Sequence, residues 1–108
     1  MKLARRHIRP KVTHLDGYTF GSRLEARRYA TLALEQKAGI ISGLAVHPSL
    51  PLTVNGRKIG RGWLTLDFRY ERNGAIVYED VKGVDTRESR LRRELAEAIH
   101  DIKIEVTK

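Results

Sequence analysis

Residues 63–82, WLTLDFRYERNGAIVYEDVK, decide the fold class of this chain. From Trp63 to Arg72 apolar and polar residues alternate, with Leu64, Leu66, Phe68 and Tyr70 in phase, which is the two-residue period of a strand. Asn73-Gly74 follows, the dipeptide best suited to a two-residue hairpin loop, because a type I′ turn needs positive φ at both central positions. Ala75–Lys82 is then the returning strand. With Asn73-Gly74 as the whole loop, Arg72 pairs with Ala75, and that register carried outward sets Asp67 opposite Asp80 on one sheet face. Directly opposed Cβ atoms lie roughly 4.5–5.5 Å apart, and like charges there are destabilising. Lys82, two residues past Asp80, projects to the same face, across from Thr65. Glu79 points the other way, opposite Phe68, and is set aside as a decoy.

Outward from the hairpin, Asp16-Gly17 between Val12–His14 and Tyr18–Phe20 signals a short first hairpin. Ser22 opens a helix that runs to about Lys37 and closes at Gly39. Leu44–Val46 and Leu50–Val54 are short extended segments broken by Pro48 and Pro51, and Asn55-Gly56 marks another turn. A second helix spans about Ser89 to His100, with Leu91, Leu95 and Ala98 as its apolar stripe, and Ile102–Val106 closes the chain as a strand. The order predicts an α/β fold, a central mixed β-sheet flanked by helices. At 108 residues, this is one domain over 1–108, with residues 1–10 as a basic N-terminal arm.

The charge balance narrows the function classes. Lys plus Arg number 21 against 13 acids, a net charge of +8, which attracts polyanions such as nucleic acid or an anionic membrane surface. No apolar run is long enough to span a bilayer, and no apolar stretch follows the basic N-terminus, so neither a membrane span nor a secretory signal is expected. Without cysteine there are no disulfides and no thiolate metal sites, in keeping with a reducing cytoplasm. His7, His14, His47 and His100 are scattered, with no metal-ligand spacing. No glycine-rich phosphate loop points to a nucleotide cofactor. Trp63, entering a strand, reads as core or interface.

Two facing carboxylates in the best hairpin of the chain need a reason. A divalent cation shared by Asp67 and Asp80 supplies one, since hard cations such as Mg²⁺ take oxygen ligands, and the Val81 carbonyl lies beside them. Lys82 can orient a water or balance charge on an attacked phosphate. With the basic surface, this set points to metal-assisted phosphodiester hydrolysis. The plainer alternative is a surface hairpin whose acids are balanced by Lys82 and nearby arginines. Glu25 has two readings as well. It shares a helix face with Tyr29 and Leu32, which aims it at the sheet, yet Ser22-Arg23-Leu24-Glu25 is also a capping box, and capping is the better specified role.

Three segments, Ser22–Tyr29, Leu66–Tyr70 and Glu79–Gly83, resemble those of small phage and prophage nucleases similar to archaeal-type Holliday junction resolvases of the PD-(D/E)XK superfamily. The resemblance runs from about Asp16 to Val106. Leu66 stands where the family motif has proline, and Asp80 where glutamate is commoner. The resemblance implies a restriction-endonuclease-like core and metal-bound Asp67 and Asp80, with Lys82 as catalytic lysine and Glu25 as a fourth site member. It also implies Mg²⁺ with Mn²⁺ as substitute, and a homodimer acting on branched or four-way-junction DNA in the cytoplasm, that of the host if the protein is phage-encoded. Arg5, Arg6, Lys11, Arg23, Arg27 and Arg28, on the arm or the Glu25 helix, are the candidates for gripping phosphates. A nuclease with another DNA target and a silent nucleic-acid-binding module are the alternatives.

Overall fold

The computed structural model describes residues 11–108. The expected N-terminal arm over 1–10, with Arg5 and Arg6, lies outside them. In chain order the elements are β1 (Thr13–Leu15), β2 (Tyr18–Phe20), α1 (Arg23–Lys37), β3 (Ser42–Val46), β4 (Ser49–Val54), β5 (Arg57–Thr65), β6 (Phe68–Arg72), β7 (Ala75–Val81), α2 (Arg87–His100) and β8 (Ile104–Thr107). The fold is α/β, with a four-stranded mixed sheet in the order β3-β6-β7-β8. Its pairs are antiparallel except β7 with β8, which are parallel and joined through α2. Ribbons β1-β2 and β4-β5 complete it. Among the described residues no helix is long and apolar enough to cross a membrane.

Local chemistry accounts for the turns and caps. At Asp16-Gly17, Asn55-Gly56 and Asn73-Gly74 both residues have positive φ, the requirement of the type I′ hairpin, and each joins directly paired strands. The Ser22 hydroxyl caps α1 by accepting from the Glu25 amide, and Thr86 caps α2 by accepting from Ser89. Gly39, with φ of 79°, ends α1 in the left-handed conformation that glycine adopts without strain.

Two cores lie on opposite sides of the sheet. Phe20, Tyr29, Leu32, Phe68, Tyr70 and Val81 pack beneath α1. Leu52, Leu64, Leu66, Ala96 and Ile104 pack beneath α2. The alternation predicts one shared face for Leu64, Leu66, Phe68 and Tyr70; instead Leu64 and Leu66 lie on the opposite face from Phe68 and Tyr70. The reason is a break between β5 and β6. The β6/β7 ladder keeps the expected register from Arg72↔Ala75 to Phe68↔Glu79. At the next step the Asp67 amide donates to the Glu79 carbonyl at 3.2 Å, so Asp67 and Phe68 both face Glu79. This is a β-bulge, and one extra residue sends the preceding side chains to the other face. Asp67 is thus not the ladder partner of Asp80.

The opposing strand bends at the same level. The His47 amide donates to the Asp67 carbonyl at 2.9 Å, and the Leu66 amide to the Pro48 carbonyl at 2.8 Å. Pairing continues on either side, through Val46↔Phe68 and Ser49↔Thr65. The segments β3–β4 and β5–β6 form one long hairpin closed at Asn55-Gly56 and kinked at His47-Pro48 against Leu66-Asp67. One half builds the α1 core and the other the α2 core.

The apolar stripe of α2 also differs from its sequence reading. Leu91 is 64% exposed and Ala98 is exposed, while Arg93 and Ala96 are buried and Leu95 and Ile99 pack on the α2 core. Trp63 is half exposed, so it is not a core residue.

Candidate metal centre

The kink places Asp67 at the junction of both cores. Its Oδ2 accepts from the Val81 amide at 2.7 Å, which fixes the carboxylate over the end of β7. Glu25, in the first turn of α1, is carried there by the helix that packs on β6 and β7. Ligand atoms of Glu25, Asp67 and His47 all lie within 4.8 Å of one another. Glu25 is therefore part of this cluster. The other half of a capping box, a bond from the Ser22 amide back to Glu25, is not among the hydrogen bonds of the described residues.

Asp80 is buried on the α2 side, and its Oδ2 lies 3.2 Å from Lys82 Nζ and 3.7 Å from Arg93 Nη1. Strand alternation brings Asp80 and Lys82 to the same face, as predicted. The bulge removes the Asp67–Asp80 ladder pairing, yet Asp80 still acts on the Asp67 carboxyl and raises its pKa. Asp80 and Glu25 thus both act on Asp67, and the electrostatic effect is large. Burial pushes the Asp67 carboxyl up to about 8; Asp80 and Glu25 push it the same way, and the Val81 amide opposes them.

The donors suit a hard divalent ion. Two ligands of one Mg²⁺, each at roughly 2.0–2.1 Å, stand at most about 4.2 Å apart, so a small side-chain rotation would close the Glu25–Asp67 set around one. Beside it, Ser22, Glu25, Val81 and Lys82 line a cleft of about 400 Å³ open to solvent. The Val81 carbonyl was the backbone ligand expected from sequence; what the structure places against Asp67 is the Val81 amide.

Arg28 is corrected. The sequence groups it with phosphate-gripping arginines, but its Nε and Nη2 bond Glu79 at 2.6 and 2.9 Å, and Tyr70 donates to the same carboxylate at 2.6 Å. Glu79 has no exposed surface. Burial alone would raise its pKa, but the bonds from Arg28 and Tyr70 outweigh that and hold it below the usual range. Glu79 is buried and the partly exposed Arg28 pairs with it, so this arginine is engaged structurally. Lys11, Arg23 and Arg27 remain exposed.

Sequence reasoning missed two residues. Arg93 reads there as one of several balanced charges on α2, but it is buried, bonds Asp85 at 2.6 Å and faces Asp80. His47 reads as isolated, yet it lies across from Asp67 on the neighbouring strand. About twenty residues separate the two, and an irregularity between Pro51 and Thr53 shifts the register that the Asn55-Gly56 turn would set. Only the shared kink, hinted at by Pro48, brings them together.

A family model described as "Protein of unknown function (DUF1064)" matches residues 5–107. No curated protein and no solved structure matches the chain.

Proposed function

The chain belongs to the DUF1064 family, and we propose that it is a divalent-metal-dependent nuclease with a PD-(D/E)XK-type site. The observation that carries this reading is Glu25 set against Asp67, with Asp80 paired to Lys82 at the end of β7 and Glu25 and Lys82 lining one open cleft. Glu25, Asp67 and Asp80 would hold the ion, Mg²⁺ or Mn²⁺. Once bound, it supplies Lewis acidity at a phosphate and an activated water near neutral pH. The Val81 amide holds Asp67 in place. Lys82, anchored on Asp80, is positioned to hydrogen-bond the attacking water or a phosphate oxygen, and Arg93 offsets the buried charge of Asp80. The net charge of +8 and the exposed Lys11, Arg23 and Arg27 support a nucleic-acid substrate.

The narrower reading is a homodimeric Holliday junction resolvase cutting two strands of four-way-junction DNA in the cytoplasm. It rests on the resemblance of the three site segments, because paired cuts need two sites related by symmetry. The test is cleavage of a labelled four-way junction beside matched duplex and single strand, with Mg²⁺ and with chelator. Preferential, paired cuts in the junction support the resolvase. Equal rates on all three substrates remove the junction preference and leave the nuclease. No metal-dependent cleavage of any of them refutes both.

A further inference from the structure

We propose that His47 is itself a metal ligand, sharing one divalent ion with Glu25 and Asp67, and that this nitrogen biases the site toward first-row transition ions over Mg²⁺. The inference rests on the metal-centre reading above and names a ligand that the sequence motif does not contain.

Geometry carries it. The imidazole, one Glu25 oxygen and one Asp67 oxygen lie within 4.8 Å of one another. Histidine side-chain hydrogen bonds among the described residues are those of His14 and His100, so the His47 ring is not tied to either acid by a direct bond. The backbone holds the ring there, because the His47 amide bonds the Asp67 carbonyl at 2.9 Å, and the ring leans on Phe20 with centroids 5.9 Å apart.

Asp80, the third acid of the proposed site, already carries cations of its own. Asp80 Oδ2 faces Lys82 at 3.2 Å and Arg93 at 3.7 Å, two cations that an ion would have to displace or tolerate. Among the described residues Glu25 and Asp67 form no such ion pair, and His47 completes a nitrogen–oxygen–oxygen set with them. His47 also sits at φ of 58°, directly before Pro48. Positive φ is uncommon for residues other than glycine, though histidine adopts it more readily than most, and a glycine or asparagine would hold this kink with less strain. A ligand role accounts for a histidine there.

The chemical consequence follows from ligand type. Mg²⁺ favours oxygen donors and retains its waters, whereas imidazole with carboxylates suits transition ions. The experiment uses Mn²⁺ alone, without nucleic acid, on the full chain. Pulsed electron paramagnetic resonance of bound Mn²⁺ reads directly coordinated nitrogen, and titration calorimetry reads affinity for Mn²⁺ and Mg²⁺. His47→Asn tolerates the backbone angle, and His47→Gly is the second variant should the first misfold.

The expected result is nitrogen coupling in the wild type, lost in either variant. Mn²⁺ affinity should fall on the order of tenfold while Mg²⁺ affinity changes by less than about threefold, as removal of one soft-side donor predicts. Mn²⁺ bound without nitrogen coupling, or coupling that persists in the variants, overturns the inference and leaves the carboxylate site standing. No Mn²⁺ or Mg²⁺ binding at all overturns the metal centre itself.

Discussion

Replacing Asp67 with asparagine removes one charge from the crowded cluster while leaving an oxygen to accept from the Val81 amide. In metal-free protein this should stabilise the fold, and the gain should depend on pH. The Asp67 carboxyl rises from an ordinary 3.8 to about 8 in the folded chain. A group whose folded pKa is raised contributes its full stability below the unfolded value, and loses it as pH climbs through the folded one. Wild type should therefore weaken relative to Asp67→Asn from about pH 4 up to about pH 8. A shift from 3.8 to about 8 is some four units, an upper bound near 6 kcal/mol at 1.36 kcal/mol per unit. Solvent reaches this half-buried carboxyl and screens it, so about 2 kcal/mol is the expected size at pH 8. In a domain of this length, that corresponds to roughly 10 °C in Tm.

The assay is thermal unfolding followed by circular dichroism, in chelator, from pH 4 to 8.5. The two proteins should melt together near pH 4 and separate as pH rises, with the variant the more stable. Added Mn²⁺ should close the gap by raising only the wild type, since ion binding takes over the charge that destabilises it. Parallel melting curves across the whole range, with or without metal, would refute the reasoning.

Other predictions follow from separate parts of the structure. Arg28→Ala leaves buried Glu79 without its cation, with only the Tyr70 hydroxyl bonded to it, and should cost about 3 kcal/mol in urea unfolding, whereas Arg28→Met with Glu79→Leu should cost much less. A loss under 1 kcal/mol for the single variant would mark the pair as solvent-screened. Lys82→Ala should lower the single-turnover cleavage rate by about 10²–10³ with DNA affinity within a few-fold, the size expected for one electrostatic group at a reacting phosphate. Comparable losses of rate and affinity would make it a binding residue. Arg23→Ala with Arg27→Ala should weaken DNA binding and reduce the salt dependence of log K by about one for each phosphate contact removed, with no change in Tm. An unchanged salt slope would place the nucleic acid elsewhere.

Much of the frame was legible because short-range chemistry dictates it. Asp16-Gly17, Asn55-Gly56 and Asn73-Gly74 each fix a turn, Ser22 and Gly39 bracket α1, and the β6/β7 register follows from a two-residue loop. The bulge at Asp67 was not legible. Nothing local distinguishes a strand that continues through Leu66-Asp67-Phe68 from one that gains an unpaired residue there, because two different cores demand opposite phases on either side. The same long-range cause hid His47, whose partner is set by a kink shared between distant segments. Arg93 and Arg28 were misread for a related reason. A charged residue on a helix looks solvated until tertiary packing supplies a buried acid, as Asp85 and Glu79 do here. For the proposed site, strand alternation anticipated Asp80 beside Lys82, but the face-to-face Asp67–Asp80 pair read from the hairpin does not form, and the place of Glu25 beside Asp67 needed the folded chain.

The most direct measurement is metal-dependent cleavage of labelled DNA by wild type and by Asp80→Asn, purified in parallel and shown by melting to be folded. The account predicts cleavage by the wild type with Mn²⁺ or Mg²⁺, none with chelator, and none by Asp80→Asn even though it still binds the DNA. Undiminished cleavage by folded Asp80→Asn, or cleavage indifferent to chelator, would contradict a metal nuclease built on these carboxylates.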